Sequence, residues 1–190
     1  MKLVPSVESG VYFKCTACGK CCTGEQEGYI FVYESDIRKM SEALNLTLNA
    51  FAKKYLKIID YNFDIWDHHL EKKKSDKIMP TLVLDFGHNQ DCVFLKKENG
   101  KYLCEIYPAR PLQCKLFPFW SWNMVTEEGY FQTREDCDGF DCENIPENSY
   151  PPEKIIEMIK QERKLEYDYY KIMKKHQFNI YEVYPFLRDL

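Results

Sequence analysis

A chain of 190 residues with 45% hydrophobic and 15% aromatic side chains is long enough to bury a core and too apolar to be disordered. Its formal net charge of −4 and isoelectric point near 5.7 argue against any general pull toward nucleic acid or an anionic membrane; the dense basic run Lys72 to Lys74 precedes Asp76 and reads as a solvated loop. No stretch approaches the roughly twenty apolar residues of a membrane span, and Met1 to Lys14 carries no apolar run of signal-peptide length, so a cytoplasmic location is expected.

In chain order, Tyr29 to Tyr33 reads as a strand. Ser35 is placed to cap a helix from about Asp36 to Leu44, with Ile37, Met40 and Leu44 on one face. Thr47 is placed to cap a second helix running to about Lys57, with Phe51 and Tyr55 four residues apart. Ser75 to Pro80 follows a charged run and is expected to be a loop. Thr81 to Phe86 and Cys92 to Leu95 look like strands, and Tyr102 to Tyr107 returns after the turn Glu98-Asn99-Gly100 as the second arm of a hairpin. Pro108 and Pro111 punctuate a tight turn or one short helix around Ala109 to Leu116. Phe119 to Val125 and Gly129 to Thr133 suggest a further hairpin closing on Glu127-Glu128-Gly129. From Pro152 to about Lys175 the pattern is helical, with Ile155, Ile159, Tyr169, Ile172 and His176 near one face and Glu162 and Glu166 interrupting the stripe. Such a helix covers a sheet or, alternatively, forms a dimer seam.

The nine cysteines carry the chemistry. In a reducing compartment clustered thiols bind metal or do redox work, and an odd count fits poorly with a complete set of disulfides. In Cys15-Thr-Ala-Cys18-Gly-Lys-Cys21-Cys22 the two-residue gaps let successive thiolates turn inward around one ion or cluster, and Gly19 relieves the crowding of such a loop. The spacing of Cys15, Cys18 and Cys21 matches the first three ligands of bacterial ferredoxin-type clusters, which points to metal without naming it. Adjacent side chains generally diverge, so Cys22 is expected at a second site, as a dinuclear bridge, or as a buried thiol. Cys92 and Cys104 fall on the two arms of one expected hairpin, and Cys114 follows the Pro108/Pro111 turn. His68, His69, His88 and His176 stand at no zinc-finger offset from these thiols, and no phosphate loop, serine elbow or H-E-x-x-H motif is present.

These residues resemble the YkgJ-like cysteine-cluster family, named for its C-x-x-C-x-x-C-C motif and described as a zinc- or iron-chelating domain. The match runs from Cys15 to Cys22, through Cys92-Val-Phe-Leu, to Cys104-Glu-Ile-Tyr107-Pro-Ala-Arg110-Pro111-Leu-Gln-Cys114-Lys-Leu-Phe-Pro118, and spans roughly Cys15 to Phe140. A Cys-Pro-Gly element of longer members reads Cys137-Asp138-Gly139 here. The resemblance implies Cys15, Cys18, Cys21, Cys22, Cys92, Cys104, Cys114 and Cys137 as metal ligands, enough for two four-thiolate sites. It leaves Cys142, among Asp138, Asp141 and Glu143, as a spare thiol. Zinc or an oxidised four-iron cluster on four thiolates carries a net charge of about −2. Arg110, flanked by Pro108 and Pro111, is expected to support the bound group, and Lys115 and Lys20 are placed to offset its charge. Phe117, Phe119, Trp120 and Trp122 are expected to pack as core and to wall the site from water.

The resulting expectation is an α+β fold, a small compact domain with short β-hairpins and flanking helices organised around a cysteine-ligated metal site. Residues 1–150 form the cysteine-cluster metal-binding domain and 151–190 a C-terminal helical segment packing on it. The function is metal binding, with an iron–sulfur cluster (four-iron, four-sulfur in the first instance) ahead of zinc and no defined reaction. The open alternatives are a cluster-dependent enzyme of methyl or electron transfer and a zinc-stapled interaction module. The expected partner is the metal ion or cluster, with neither nucleic acid nor membrane.

Overall fold

The structure is a computed structural model and describes residues 2–23, 28–67, 72–86 and 91–188. The N-terminal stretch ends in β1 (Val11–Tyr12) and leads through the Cys15–Cys22 turn to Tyr29–Tyr33. Tyr29–Tyr33 forms only an isolated bridge, Phe31 with Val83, and two flanking backbone hydrogen bonds, rather than the expected strand. It turns at once into α1 (Glu34–Ala43), whose N-cap is Tyr33 and not Ser35; the Asp36 carboxylate accepts the Tyr33 and Leu112 amides instead. Thr47 caps α2 (Leu48–Tyr55) as expected, its hydroxyl accepting the Ala50 N–H at 3.2 Å.

The main departure follows. β2 (Leu56–Asp67) and β3 (Lys72–Leu84) pair antiparallel, so Ser75–Pro80 is strand and not loop. Phe63 and Ile65 are buried while Asp60, Asn62 and Asp64 face water, the period-two pattern of a half-buried strand. The charged residues belong to the wet face and hid that alternation. A short hairpin comes next, β4 (Leu95–Glu98) with β5 (Lys101–Cys104), turning on Asn99 and Gly100 at positive φ. Cys92 stands just before β4, bridged to Phe86, rather than on the hairpin arm.

After a 3-10 turn at Tyr107–Ala109 and α3 (Leu112–Leu116), the segment read as a hairpin is two helices, α4 (Ser121–Val125) and α5 (Glu127–Asp136). The reason is local: the Thr126 hydroxyl accepts the Gly129 N–H at 3.1 Å, and Glu127 and Glu128 occupy the first turn. β6 (Ser149–Tyr150) then pairs back onto β1, completing three separate two-stranded sheets among the described residues.

The helix α6 (Pro152–Lys175) forms where expected, with proline at its start and lysines in its last turn. It joins two apolar clusters. Ile155 and Ile159 pack with Val7, Phe13, Phe119 and Met124, while Tyr167, Tyr169 and Met173 pack with Ile37, Phe51, Phe63 and Met79. The expected stripe needs correction at Ile172, which is exposed. Finally α7 (Ile180–Val183) folds back, placing Tyr184 and Leu187 in the cluster of Phe51 and Phe63. No helix among the described residues is long and apolar enough to cross a membrane.

Candidate metal centre

The cysteine loop is pinned by backbone hydrogen bonds on both sides. The Gly19 carbonyl accepts the amides of Cys22 at 2.7 Å and Thr23 at 3.0 Å, closing a tight turn. Gly19 has φ +81°, and a Cβ there would lie 2.5 Å from the Tyr102 ring, so only glycine fits. On that side Tyr102 N–H donates to the Ala17 carbonyl at 3.2 Å and Cys92 N–H to the Cys22 carbonyl at 2.7 Å. These bonds bring β5 and the Cys92 segment against the loop. On the other side Lys14 N–H donates to the Gly139 carbonyl at 2.9 Å, and a Cβ on Gly139 would meet the Phe13 ring at 2.5 Å. That contact sets the Cys137-Asp138-Gly139 turn beside Cys15, with Asp138 standing where longer relatives of the motif have proline. The Asp138 carboxylate accepts Lys20 Nζ at 2.8 Å across 118 residues of chain. The pair is half exposed and contributes little by itself.

The thiols so assembled act on one another in two overlapping sets: Cys21 bears on Cys22, Cys92, Cys104 and Cys114, and Cys15, Cys18 and Cys21 bear on Cys137. All nine cysteines are free thiols. The groups sit where the two apolar clusters meet: Cys137 is buried with Phe13 and Phe140, while Cys92, Cys104 and Cys114 pack against the cluster of Phe94 and Ile106. Cys21 and Cys22 Sγ approach to 3.8 Å, closer than diverging neighbours would, because the Gly19 turn folds them together. That contact works as one shared proton, drawing the Cys21 thiol down to about 7 and raising its partner Cys22. Burial raises the thiols of Cys92, Cys104 and Cys114, with neighbouring thiols adding to the effect, and pushes Cys137 up to about 11. Crowded, partly desolvated thiols resist ionising one by one. A bound cation removes that resistance for all of them together.

Arg110 supplies the test of fit. Its guanidinium lies 3.8 Å over the Tyr107 ring and favours ionisation of Cys21, Cys104 and Cys114, yet its Nε is buried without a hydrogen-bond partner among the described residues. A buried, unpartnered guanidinium N–H whose charge favours three neighbouring thiolates suits an anionic centre, so these residues fit a metal held on sulfur. Among the described residues no three His, Cys, Asp or Glu side chains close to coordination distance, so the thiols are neighbours and not a formed coordination shell.

Other sequence assignments divide. Lys20 acts beside Cys18 and Cys137, whereas the charge of Lys115 reaches Asp36. Phe119 is core, Phe117 and Trp120 stack edge-on at 5.2 Å, and Trp122 is exposed rather than packed. His176 pairs with Glu182 at 3.4 Å; His68, His69 and His88 lie outside the described residues. Tyr102, which shapes the loop, carried no signal of its own in the sequence, whereas Gly139 stood in the Cys137-Asp138-Gly139 element and Gly19 in the cysteine loop. A family model described as "CxxCxxCC: Putative zinc- or iron-chelating domain" matches residues 14–138, more than half of the chain, a span that holds eight cysteines and leaves out Cys142. No solved structure matches.

Proposed function

The chain belongs to the CxxCxxCC family of zinc- or iron-chelating domains, and from that premise we propose that it binds its metal on Cys15, Cys18, Cys21, Cys22, Cys92, Cys104, Cys114 and Cys137. One observation carries this reading: cysteines from distant stretches of chain gather in one electrostatic neighbourhood around the unpartnered Arg110 Nε. Arg110 offsets the charge of the centre and donates toward sulfur; Lys20, held by Asp138, does the same beside Cys18 and Cys137. A thiolate-bound metal supplies structural cross-linking or, as an iron–sulfur cluster, a one-electron store. The 1–150 segment holds the centre, and 151–190 braces it through α6.

Iron–sulfur is the leading identity, supported by the Cys15, Cys18, Cys21 spacing. Zinc is the second reading, favoured by the 3.8 Å between Cys21 and Cys22 Sγ. A tetrahedral ion with sulfur at about 2.3 Å holds its ligands roughly 3.8 Å apart, whereas thiolates on separate irons of a cluster stand further apart. Metal and acid-labile sulfide analysis of protein purified without oxygen decides. Brown protein with iron and sulfide supports the cluster; colourless protein with stoichiometric zinc replaces it; protein with neither overturns the proposal.

A further inference from the structure

Away from the thiols, α6 carries an unusual acidic pair. Glu162, Arg163 and Glu166 line a cavity of about 1120 Å³, large enough for a small-molecule ligand. Glu162 and Glu166 keep some accessible surface at the cavity wall while protein encloses the rest, the situation of groups desolvated by a pocket rather than packed in a core. Arg163 is already committed. Its Nε and Nη2 donate to Ser121 Oγ at 2.9 and 2.7 Å, and its guanidinium lies 4.0 Å over the Trp66 ring. Glu162 accepts the Ser121 amide. Glu166 makes no hydrogen bond or direct ion pair among the described residues; the negative charges of Glu162 and Asp64 bear on it, and the Arg163 guanidinium opposes them in part.

An enclosed carboxylate without a direct ion pair is costly, and with Arg163 committed to Ser121 and Trp66 the protein meets that cost by keeping the proton. Burial pushes Glu166 up to about 8, with Glu162 adding to it, and burial likewise pushes Glu162 up to about 7. The same cavity presents the rings of Phe31 and Tyr61, 4.7 Å apart, backed by the buried Phe63 ring at 5.4 and 5.0 Å. Glu166 lies close enough to act on the Tyr61 and Tyr33 hydroxyls, so carboxyl and ring surface share one space. Aromatic faces attract cations, as Trp66 already does with Arg163.

We infer that this cavity binds a small organic cation of the alkyl- or tetraalkylammonium class, its charge at Glu166 and its carbon substituents on the Phe31 and Tyr61 rings. An anion would meet four carboxyls, those of Asp64, Asp136, Glu162 and Glu166, and a bare metal ion would leave the rings unused. The inference goes beyond the thiol centre and does not depend on it, although Cys21 lines the same cavity.

Calorimetric titration of the protein as purified tests this, with tetramethylammonium as the probe and tert-butanol as its neutral counterpart of similar shape. Tetramethylammonium should bind saturably and tert-butanol should not. Because the probe does not titrate, its affinity should rise between about pH 6 and pH 9 as the cavity carboxyls ionise. Of the other groups facing Glu166, Arg163 stays charged, and Tyr33 and Tyr61, both raised by burial, stay neutral across that range; Asp64, Asp136 and Cys21 also line the cavity, so the same pH series on Glu166→Gln isolates the Glu166 contribution. Glu166→Gln should weaken binding roughly tenfold or more, whereas Glu157→Gln on the exposed face of α6 should leave it unchanged. The inference is overturned by absence of saturable binding, by equal binding of tert-butanol, or by a folded Glu166→Gln protein, verified by its thermal melt, that binds as the parent does.

Discussion

Around Phe51, Phe63, Met79 and Met173 the chain closes on apolar surface, each of these side chains almost wholly withdrawn from water. Around Cys15 to Cys22 it closes on backbone hydrogen bonds between loops, and Cys15 and Cys21 remain exposed. A fully buried side chain of the first kind contributes about 1.5–3 kcal/mol, so that region holds together without help. The thiol region buries little apolar surface of its own and gathers groups that raise one another's pKa, which opposes assembly until a cation arrives. The difference teaches that the two regions rest on different forces, apolar burial in one and backbone hydrogen bonds between loops in the other, so the proposed metal would add its tie at the second.

The largest expected effect comes from removing the metal. A structural thiolate site contributes on the order of 10 kcal/mol, so stripping it under reducing conditions should lower the thermal midpoint by about 10 °C or more. An unchanged midpoint would break the comparison by showing that the thiols are passengers on a fold already complete. A finer cut compares two cysteines. Cys114→Ser should lose a stoichiometric share of metal and about 2–4 kcal/mol of stability, because Cys114 packs against the core within reach of Arg110. Cys142→Ser, beyond the family-matched span, should keep its metal and stay within ~0.5 kcal/mol of the parent. Metal content and denaturant titration of both variants would show whether eight ligands and one spare thiol is the right division.

The apolar region has its own weak point at Glu166. Its folded carboxyl holds a proton up to about pH 8 that the unfolded chain releases near pH 4.5. Between those values the folded state binds more protons, so stability falls as pH rises through the window and levels off above it. Glu166→Gln has no such proton to lose. Its advantage over the parent should be absent near pH 4, reach roughly 2 kcal/mol near pH 6 and roughly 4 kcal/mol at pH 8, measured by denaturant titration at each pH. A constant difference across that range would place Glu166 in contact with bulk water.

Much of this was legible in the residues, unevenly. Thr47, the Asn99-Gly100 turn and the long helix from Pro152 carry their own stop and start signals, and the structure has them where those signals stand. The pairing of β2 with β3 is hidden in sequence because its wet face is charged, which dilutes the apolar alternation of Phe63 and Ile65. α4 and α5 resemble a hairpin in sequence because aromatic residues favour strands in isolation; the Thr126 cap followed by two glutamates is the signal that outranks them. At the candidate centre, the cysteines and Arg110 announced themselves by type and spacing. The grouping of Cys21 with Cys92, Cys104 and Cys114, and of Cys137 with Cys15 and Cys18, depends on Tyr102 and Gly139 pressing on the loop. Those are contacts between distant segments that no local pattern encodes. Glu162 and Glu166 looked like interruptions of an apolar stripe because a cavity wall and a wet face have the same polarity in sequence.

Amide hydrogen exchange on metal-loaded and metal-stripped protein tests this difference in forces most directly, because it reads the two regions separately in one sample. The account predicts that stripping abolishes protection at Cys22, Cys92 and Tyr102, whose amides bond within or across the thiol loop, while β2, β3 and the second half of α6 keep theirs. Uniform loss of protection along the whole chain, or none anywhere, would contradict it.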